Sequence, residues 1–181
     1  MNEQEEKLTE LFRQYGASIH RMCFLYLKDY HLAEDAVSET FLKAYRALPS
    51  FRRDASPKTW LTRIAINICK SRIRSPSYRE QPLETFPETF RQICPTEQAE
   101  NRLWVCQEIM KLPQKYREVI LLYYYQECTV KEIARMLRLP ATTITGRLKR
   151  AKALLKSVLK EENHDDTQRT NRSRIKRTVS G

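Results

Sequence analysis

Apolar residues recur along nearly the whole chain at the three- and four-residue steps of a helix. Leu8, Leu11, Phe12, Tyr15, Ile19, Met22, Cys23 and Tyr26 follow the i, i+3, i+4, i+7 pattern without a break and predict an amphipathic helix. A second begins near Asp29, a residue type that caps helix N-termini, and repeats Ala33, Val37, Phe41, Ala44 and Leu48 until Pro49 stops it. Ser56 followed by Pro57 is a cap and first-turn pair, opening a third helix that runs to about Arg74. Glu97 to Leu112 and Gln114 to about Tyr124 read as two more helices. Val119 to Tyr125 alone would suit a buried strand, but no partner strand is visible, so helix is retained. Thr129 and Glu132 form a capping box ahead of Val130, Ile133, Ala134 and Leu137. After a break at Arg138 to Pro140, a last helix carries Ile144, Leu148, Ala151, Leu155 and Val158. The expected fold is all-α.

The periodicity lapses once. Between Ser75 and Pro95 there are four prolines (76, 82, 87, 95), the mark of an extended linker rather than a core segment. Roughly 20 residues reach up to about 70 Å, so the linker separates two domains without fixing their distance. The chain of 181 residues suits that division. Residues 1–75 form a three- to four-helix bundle, 76–96 the linker, 97–162 a helix-turn-helix domain and 163–181 a disordered basic tail.

Several function classes are excluded at this stage. Only three glycines occur, whereas a phosphate-cradling loop needs several residues free to take positive φ, so a Rossmann or P-loop enzyme is ruled out. Five cysteines lie at 23, 69, 94, 106 and 128 with no CxxC and no signal-peptide pattern, and they read as reduced, buried and cytoplasmic. His20 and Cys23 are one turn apart but lack a second ligand pair, so neither metal nor cofactor is expected. No apolar run approaches the ~20 residues of a membrane span, and membrane insertion is not expected. The histidines at 20, 31 and 164 are scattered, and no nucleophile and base pair stands out, so the chain is not read as an enzyme.

The net charge of +11 points to a polyanion. It is unevenly spread: residues 111–160 carry 12 basic and 3 acidic side chains, whereas 81–110 carry 2 and 5. In the last helix Thr142, Thr145, Lys149, Lys152 and Lys156 lie opposite the apolar stripe, flanked by Thr143, Arg147 and Arg150. A helix-turn-helix presents its second helix to the major groove in this way, and Arg147 has the reach for a bidentate contact to guanine. A merely solvated basic face is the plainer alternative. The turn has no glycine, and Gly146 sits inside the helix, either allowing close approach to a phosphate or simply tolerated. The third predicted helix carries Arg63, Asn67, Lys70 and Arg74 on one polar stripe beside Trp60, behind a loop holding Phe51, Arg52 and Arg53. Aromatic and guanidinium groups on a basic face suit unstacked single-stranded bases, while the bland reading places Trp60 and Phe51 in the core. In the second helix Asp35, Glu39, Lys43 and Arg46 form an exposed stripe, either a partner-docking face or an i, i+4 ion pair from Glu39 to Lys43.

The segments AEDAVSETFLKAYRAL (33–48), SPKTWLTRIAINICKSRIR (56–74) and LPQKYREVILLYYYQECTVKEIARMLRLPATTITGRLKRAKALLK (112–156) together resemble bacterial extracytoplasmic-function sigma factors, over roughly residues 8–160. The resemblance implies an N-terminal region 2 that binds core RNA polymerase and opens the minus-10 element, and a C-terminal region 4 that reads minus-35 promoter DNA. Carried over by position, Asp35, Ser38, Glu39, Phe41 and Leu42 match the polymerase-docking segment. Phe51 to Lys58 with Asn67 and Lys70 match the part that takes the minus-10 strand. With the rest of that stripe, the minus-10 set is Phe51, Arg52, Arg53, Lys58, Arg63, Asn67, Lys70 and Arg74. The minus-35 set is Thr142, Thr143, Thr145, Arg147, Lys149, Arg150 and Lys152. Thr145 departs from the family's usual lysine, which bears on the promoter sequence read. The resemblance also leads to an anti-sigma partner. A free-standing helix-turn-helix repressor or activator is the second reading, but it calls for a dimerisation element, and no heptad seam is present.

Overall fold

The computed structural model describes residues 2–51, 55–78 and 99–157, without the side chains of 99–103. Every regular element among them is helical. The first helix, α1 (Glu3–Leu27), opens with a capping box between Asn2 and Glu5 and ends at Lys28, which takes a left-handed φ of 58°. The adjacent Asp29 then caps α2 (Tyr30–Ala47), its carboxylate accepting the Leu32 N–H at 2.9 Å. Pro49 lies in a short 3-10 turn, Leu48–Ser50. Ser56 Oγ accepts the Thr59 N–H at 3.0 Å, and Pro57 supplies the first residue of α3 (Pro57–Arg74). A local side-chain cap therefore opens each of the first three helices.

The C-terminal helices are α4 (Ala99–Lys111), α5 (Gln114–Ile120), α6 (Val130–Leu137) and α7, which spans 141–157. The helix expected to run unbroken from Gln114 to about Tyr124 instead passes into a π-helical turn over Leu121–Tyr125. Wider winding lets Leu121 and Leu122 stay buried while Tyr123 and Tyr124 emerge together on the surface. The capping box of Thr129 and Glu132 opens α6. Between α6 and α7 the chain turns without glycine because Arg138 itself adopts φ 56° and donates its N–H to the Ala134 carbonyl. Arg117 is almost fully buried, and its guanidinium donates to the carbonyls of Met110 and Leu112 at 2.9 and 3.4 Å. Those are the carbonyls that the end of α4 would otherwise leave unmet.

Phe24, Leu61 and Ile66 centre the N-terminal bundle, and Leu121, Ile133, Ile144 and Ala151 centre the C-terminal one. The Pro-rich stretch leaves their separation open, yet the structure places them in contact. Gln126 is buried, its amide nitrogen donating to the Ser18 carbonyl at 3.0 Å, and Thr62 Oγ1 donating to its oxygen at 3.2 Å. The turn after α5 thus packs on both α1 and α3. Polar groups in turns have no periodicity, so nothing in the residue pattern announces this interface. Residues 79–98, most of the linker, and 158–181, with the tail and Val158, lie outside the described residues.

Cys23, Cys69, Cys106 and Cys128 are buried and free; Cys94 lies outside the described residues. A hydrogen bond with Cys23, together with burial, holds the Cys69 thiol well above the usual range, and burial pushes Cys128 up to about 12. Both are protonated packing groups.

A Cβ added at Gly146 would meet nothing within 4 Å. Glycine in an exposed helix interior forgoes stability through its extra backbone freedom, so Gly146→Ala should raise unfolding stability by about 0.5–1 kcal/mol. Urea denaturation of the two proteins measures the difference; an unchanged or lowered midpoint would contradict it.

Candidate nucleic-acid interface

Ile144, Leu148 and Ala151 anchor α7 to the C-terminal core, and this leaves Thr142, Thr145, Lys149, Lys152 and Lys156 on the outer face, with Arg150 exposed beside them. Thr143 is half-buried. Thr145 Oγ1 donates to the Ala141 carbonyl at 3.0 Å, so the hydroxyl is tied to its own helix. Lys152 lies over the rings of Tyr123 and Tyr124, its Nζ 5.8 and 5.5 Å from their centroids. Lys152 donates a hydrogen bond to Tyr124, and this contact holds its pKa above the usual lysine value. Hydroxyls stand at the start of this face and cations further along, an order that suits a helix lying across a duplex groove with its later residues near phosphates.

Arg147 is placed differently. Its Nη1 lies 2.8 Å from Glu118 Oε1, in an ion pair whose side chains are 23% and 8% exposed. Glu118 Oε2 also accepts from the Tyr26 hydroxyl at 3.4 Å, and Gln114 Nε2 donates to the Tyr26 oxygen at 3.1 Å. Burial raises the Glu118 carboxyl above its usual range, while Lys70 and Arg147 draw it down. Burial and the nearby Glu118 also push the Tyr26 hydroxyl up. Arg147 therefore fastens α7 to α5 rather than standing free on the groove-facing side.

On α3, Arg63, Asn67 and Arg74 are exposed and Lys70 is half-buried, as the stripe requires. Phe51 and Trp60 stack on each other, with centroids 4.5 Å apart and planes at 27°, and Trp60 is buried. Their first role is packing, the plainer of the two readings of this pair. Beside them a groove of about 400 Å³ runs between α2 and α3, lined by Trp60, Ile64 and Asn67 from α3 and by Glu39 and Lys43 from α2. Lys58 Nζ lies 2.7 Å from Glu127 Oε2, across the contact with the C-terminal unit. Arg52 and Arg53 lie outside the described residues.

On α2, Asp35, Ser38 and Leu42 are exposed, Leu42 at 49%, while Phe41 is buried with its ring edge-on to Phe12, centroids 4.9 Å apart. Phe41 thus supports the face that its neighbours present. Glu39 pairs with Lys43 at 2.7 Å and with Arg72 of α3 at 3.0 Å, and these partners, Lys43 first, hold its carboxyl below the usual range. The i, i+4 pair of the stripe forms, and Ser38 and Leu42 are exposed beside it. Among the described residues no group of three His, Cys, Asp or Glu side chains could hold a metal ion. No described helix is long and apolar enough to cross a membrane.

Truncating Arg147 strands the buried Glu118 carboxylate, so Arg147→Ala should cost about 1–3 kcal/mol near neutral pH. The pH dependence follows from the raised Glu118 pKa. Stability tied to that shift is present below the ordinary glutamate value and is lost as pH rises through the raised one. Without Arg147 the shift grows, so the deficit relative to the unmodified protein should shrink as pH falls toward the ordinary glutamate value. Paired urea titrations across pH check this; a constant deficit would assign the loss to packing.

Residues 11–77 match the family model described as Sigma-70 region 2, and residues 103–155 match Sigma-70, region 4. The chain is 33% identical over 152 residues to the ECF RNA polymerase sigma factor SigM of Mycobacterium tuberculosis, covering 83% of this chain and 76% of that protein. It is 31% identical over 170 residues to the ECF RNA polymerase sigma factor SigW of Bacillus subtilis, covering 87% and 91%. Two solved structures share the fold. CnrH in complex with the cytosolic domain of CnrY matches at TM-score 0.64 and 24% identity, over 87% of this chain and 90% of that one. RpoE in complex with the anti-sigma factor NepR, from Bartonella quintana, matches at TM-score 0.69 and 20% identity, over 88% and 98%.

Proposed function

The chain belongs to the extracytoplasmic-function RNA polymerase sigma factors, and from that membership we infer that it joins core RNA polymerase and selects promoters through two separate DNA contacts. The observation that carries the residue-level reading is that one chain bears two differently built cationic faces. The outer face of α7, with Thr142, Thr143, Thr145, Lys149, Arg150 and Lys152, suits minus-35 duplex, with Arg147 positioning the helix from behind. The face of α3, with Arg63, Asn67, Lys70 and Arg74 beside the groove, suits an unpaired minus-10 strand. Lys58 extends that face, and Phe51, Arg52 and Arg53 are assigned to the same strand. We assign polymerase docking to α2, through Asp35, Ser38 and Leu42 at the surface, with Glu39 and Phe41 holding them in place. In this reading residues 1–75 and 97–162 are the two working units, and polymerisation chemistry stays with the core enzyme. Buried, free cysteines suit a cytoplasmic protein. RpoE was solved with an anti-sigma factor, and a partner of that class is inferred here. A free-standing helix-turn-helix regulator is not supported by the family membership.

Run-off transcription with bacterial core polymerase on genomic promoter fragments tests the reading. The protein should direct discrete starts; duplex binding without polymerase, and no start with it, would contradict the reading. Leu42 is exposed, so Leu42→Glu should leave the fold intact and weaken core binding about tenfold in a pull-down titration. Asn67→Ala should impair strand opening, seen by permanganate footprinting, more than closed-complex formation. Rescue by a pre-melted template is the expected signature.

A further inference from the structure

The C-terminal unit faces α3 with carboxylates. Glu127 Oε2 lies 2.7 Å from Lys58 Nζ, and Glu132 Oε1 accepts from Thr59 Oγ1 at 3.1 Å. Both donors sit in the first turn of α3. An ammonium and a hydroxyl, each donating to an anionic oxygen, are the groups by which proteins hold a DNA backbone phosphate. At the far end of the same helix, the charge of Lys70 is close enough to draw down the Glu118 carboxyl.

The distribution of acid along the chain strengthens the point. Residues 111–160 hold 12 basic side chains and three acidic ones, Glu118, Glu127 and Glu132. Each of the three meets the N-terminal unit: Glu118 through Tyr26, Glu127 through Lys58, and Glu132 through Thr59. Two of the three, Glu127 and Glu132, are thus set against the first turn of α3, while Glu118 meets α1 and pairs with Arg147 of its own unit. The placement is held firmly. Gln126 is buried with its amide between Ser18 and Thr62, and Glu127 follows at φ 58°, a left-handed conformation that a glutamate enters only when its surroundings impose it.

We propose that the carboxylates of Glu127 and Glu132 stand in for backbone phosphates against Lys58 and Thr59, so that closure of the C-terminal unit over α3 and capture of an unpaired DNA strand exclude one another. The proposal rests on α3 being the face that takes the unpaired strand. In the closed chain the donors are occupied. The free protein binds a strand only in its open fraction, and its apparent affinity falls by that fraction. Separation of the two units uncovers both donors at once.

The test uses the full chain, small-angle scattering for closure, and fluorescence anisotropy with a short fluorescein-labelled DNA single strand of randomised sequence. Gln126→Ala, which alters no charge, should expand the protein and tighten strand binding about fivefold. Glu127→Lys sets like charges opposite each other on an exposed, fold-neutral site and should do the same. Exchanging the pair, Lys58→Glu with Glu127→Lys, should restore the compact scattering. Circular dichroism confirms that each variant is folded. Variants that open without gaining strand affinity, while Asn67→Ala still impairs promoter melting, would overturn the exclusion and leave the reading of α3 intact. Open variants that bind no strand, together with normal melting by Asn67→Ala, would overturn both.

Discussion

One buried amide joins the two halves of this protein. Gln126 places its side chain where an unmet donor or acceptor would carry a desolvation penalty of about 1–3 kcal/mol, and Ser18 and Thr62 meet it from two different helices. Such a contact is directional in a way that apolar burial is not. Two amphipathic bundles packed only by hydrophobic surface have many near-equivalent dockings, whereas an amide held at 3.0 and 3.2 Å admits few. Around that fixed point the remaining contacts fall into register, Glu127 on Lys58 and Glu132 on Thr59.

Electrostatics then divides the labour among the cations. Arg147 and Lys58 stand on carboxylates, Arg72 bridges to Glu39, and Lys152 lies over two tyrosine rings. Lys149, Lys156 and Arg150 remain on the outer surface of α7. A strongly basic composition is thus not a uniformly basic surface. The exposed pairs add little to stability, a few tenths of a kcal/mol to about 1 kcal/mol each, so their effect is on which surfaces meet.

Much of the architecture was legible in the residues because it is local. Asp29, Ser56 and Thr129 cap the helices they precede, and the three- and four-residue spacing of apolar positions picks out the faces that become buried. What escaped is non-local or has no period. Ser18 and Gln126 are 108 positions apart, and neither residue type nor spacing links them. Arg147 sits at the flank of a recognition helix, and only the fold brings Glu118 beside it. The run Leu121 to Tyr125 fits helix or strand equally well by composition, and nothing in it announces a π-helical turn. The site residues divide along the same line. Positions exposed by helical phase, such as Asn67 and Asp35, lie where the pattern puts them. Phe51 and Trp60, whose aromatic character suggested base stacking, have already stacked on one another.

The order in which the chain is made gives the closing contact a further meaning. The helices α1, α2 and α3 pack on one another within the first 74 residues, so the N-terminal bundle has all its partners early. Lys58 and Glu127 are 69 positions apart. At ribosomal rates of 5–20 residues per second, the acid reaches the base roughly 3–14 s after it, and domains assemble as units in that same N-to-C direction. Every newly made molecule therefore passes through an interval in which the cationic side of α3 is complete and uncovered. How that interval compares with the time to meet nucleic acid or polymerase in a crowded cell is a kinetic property of the gene product, set by the length of chain between two side chains.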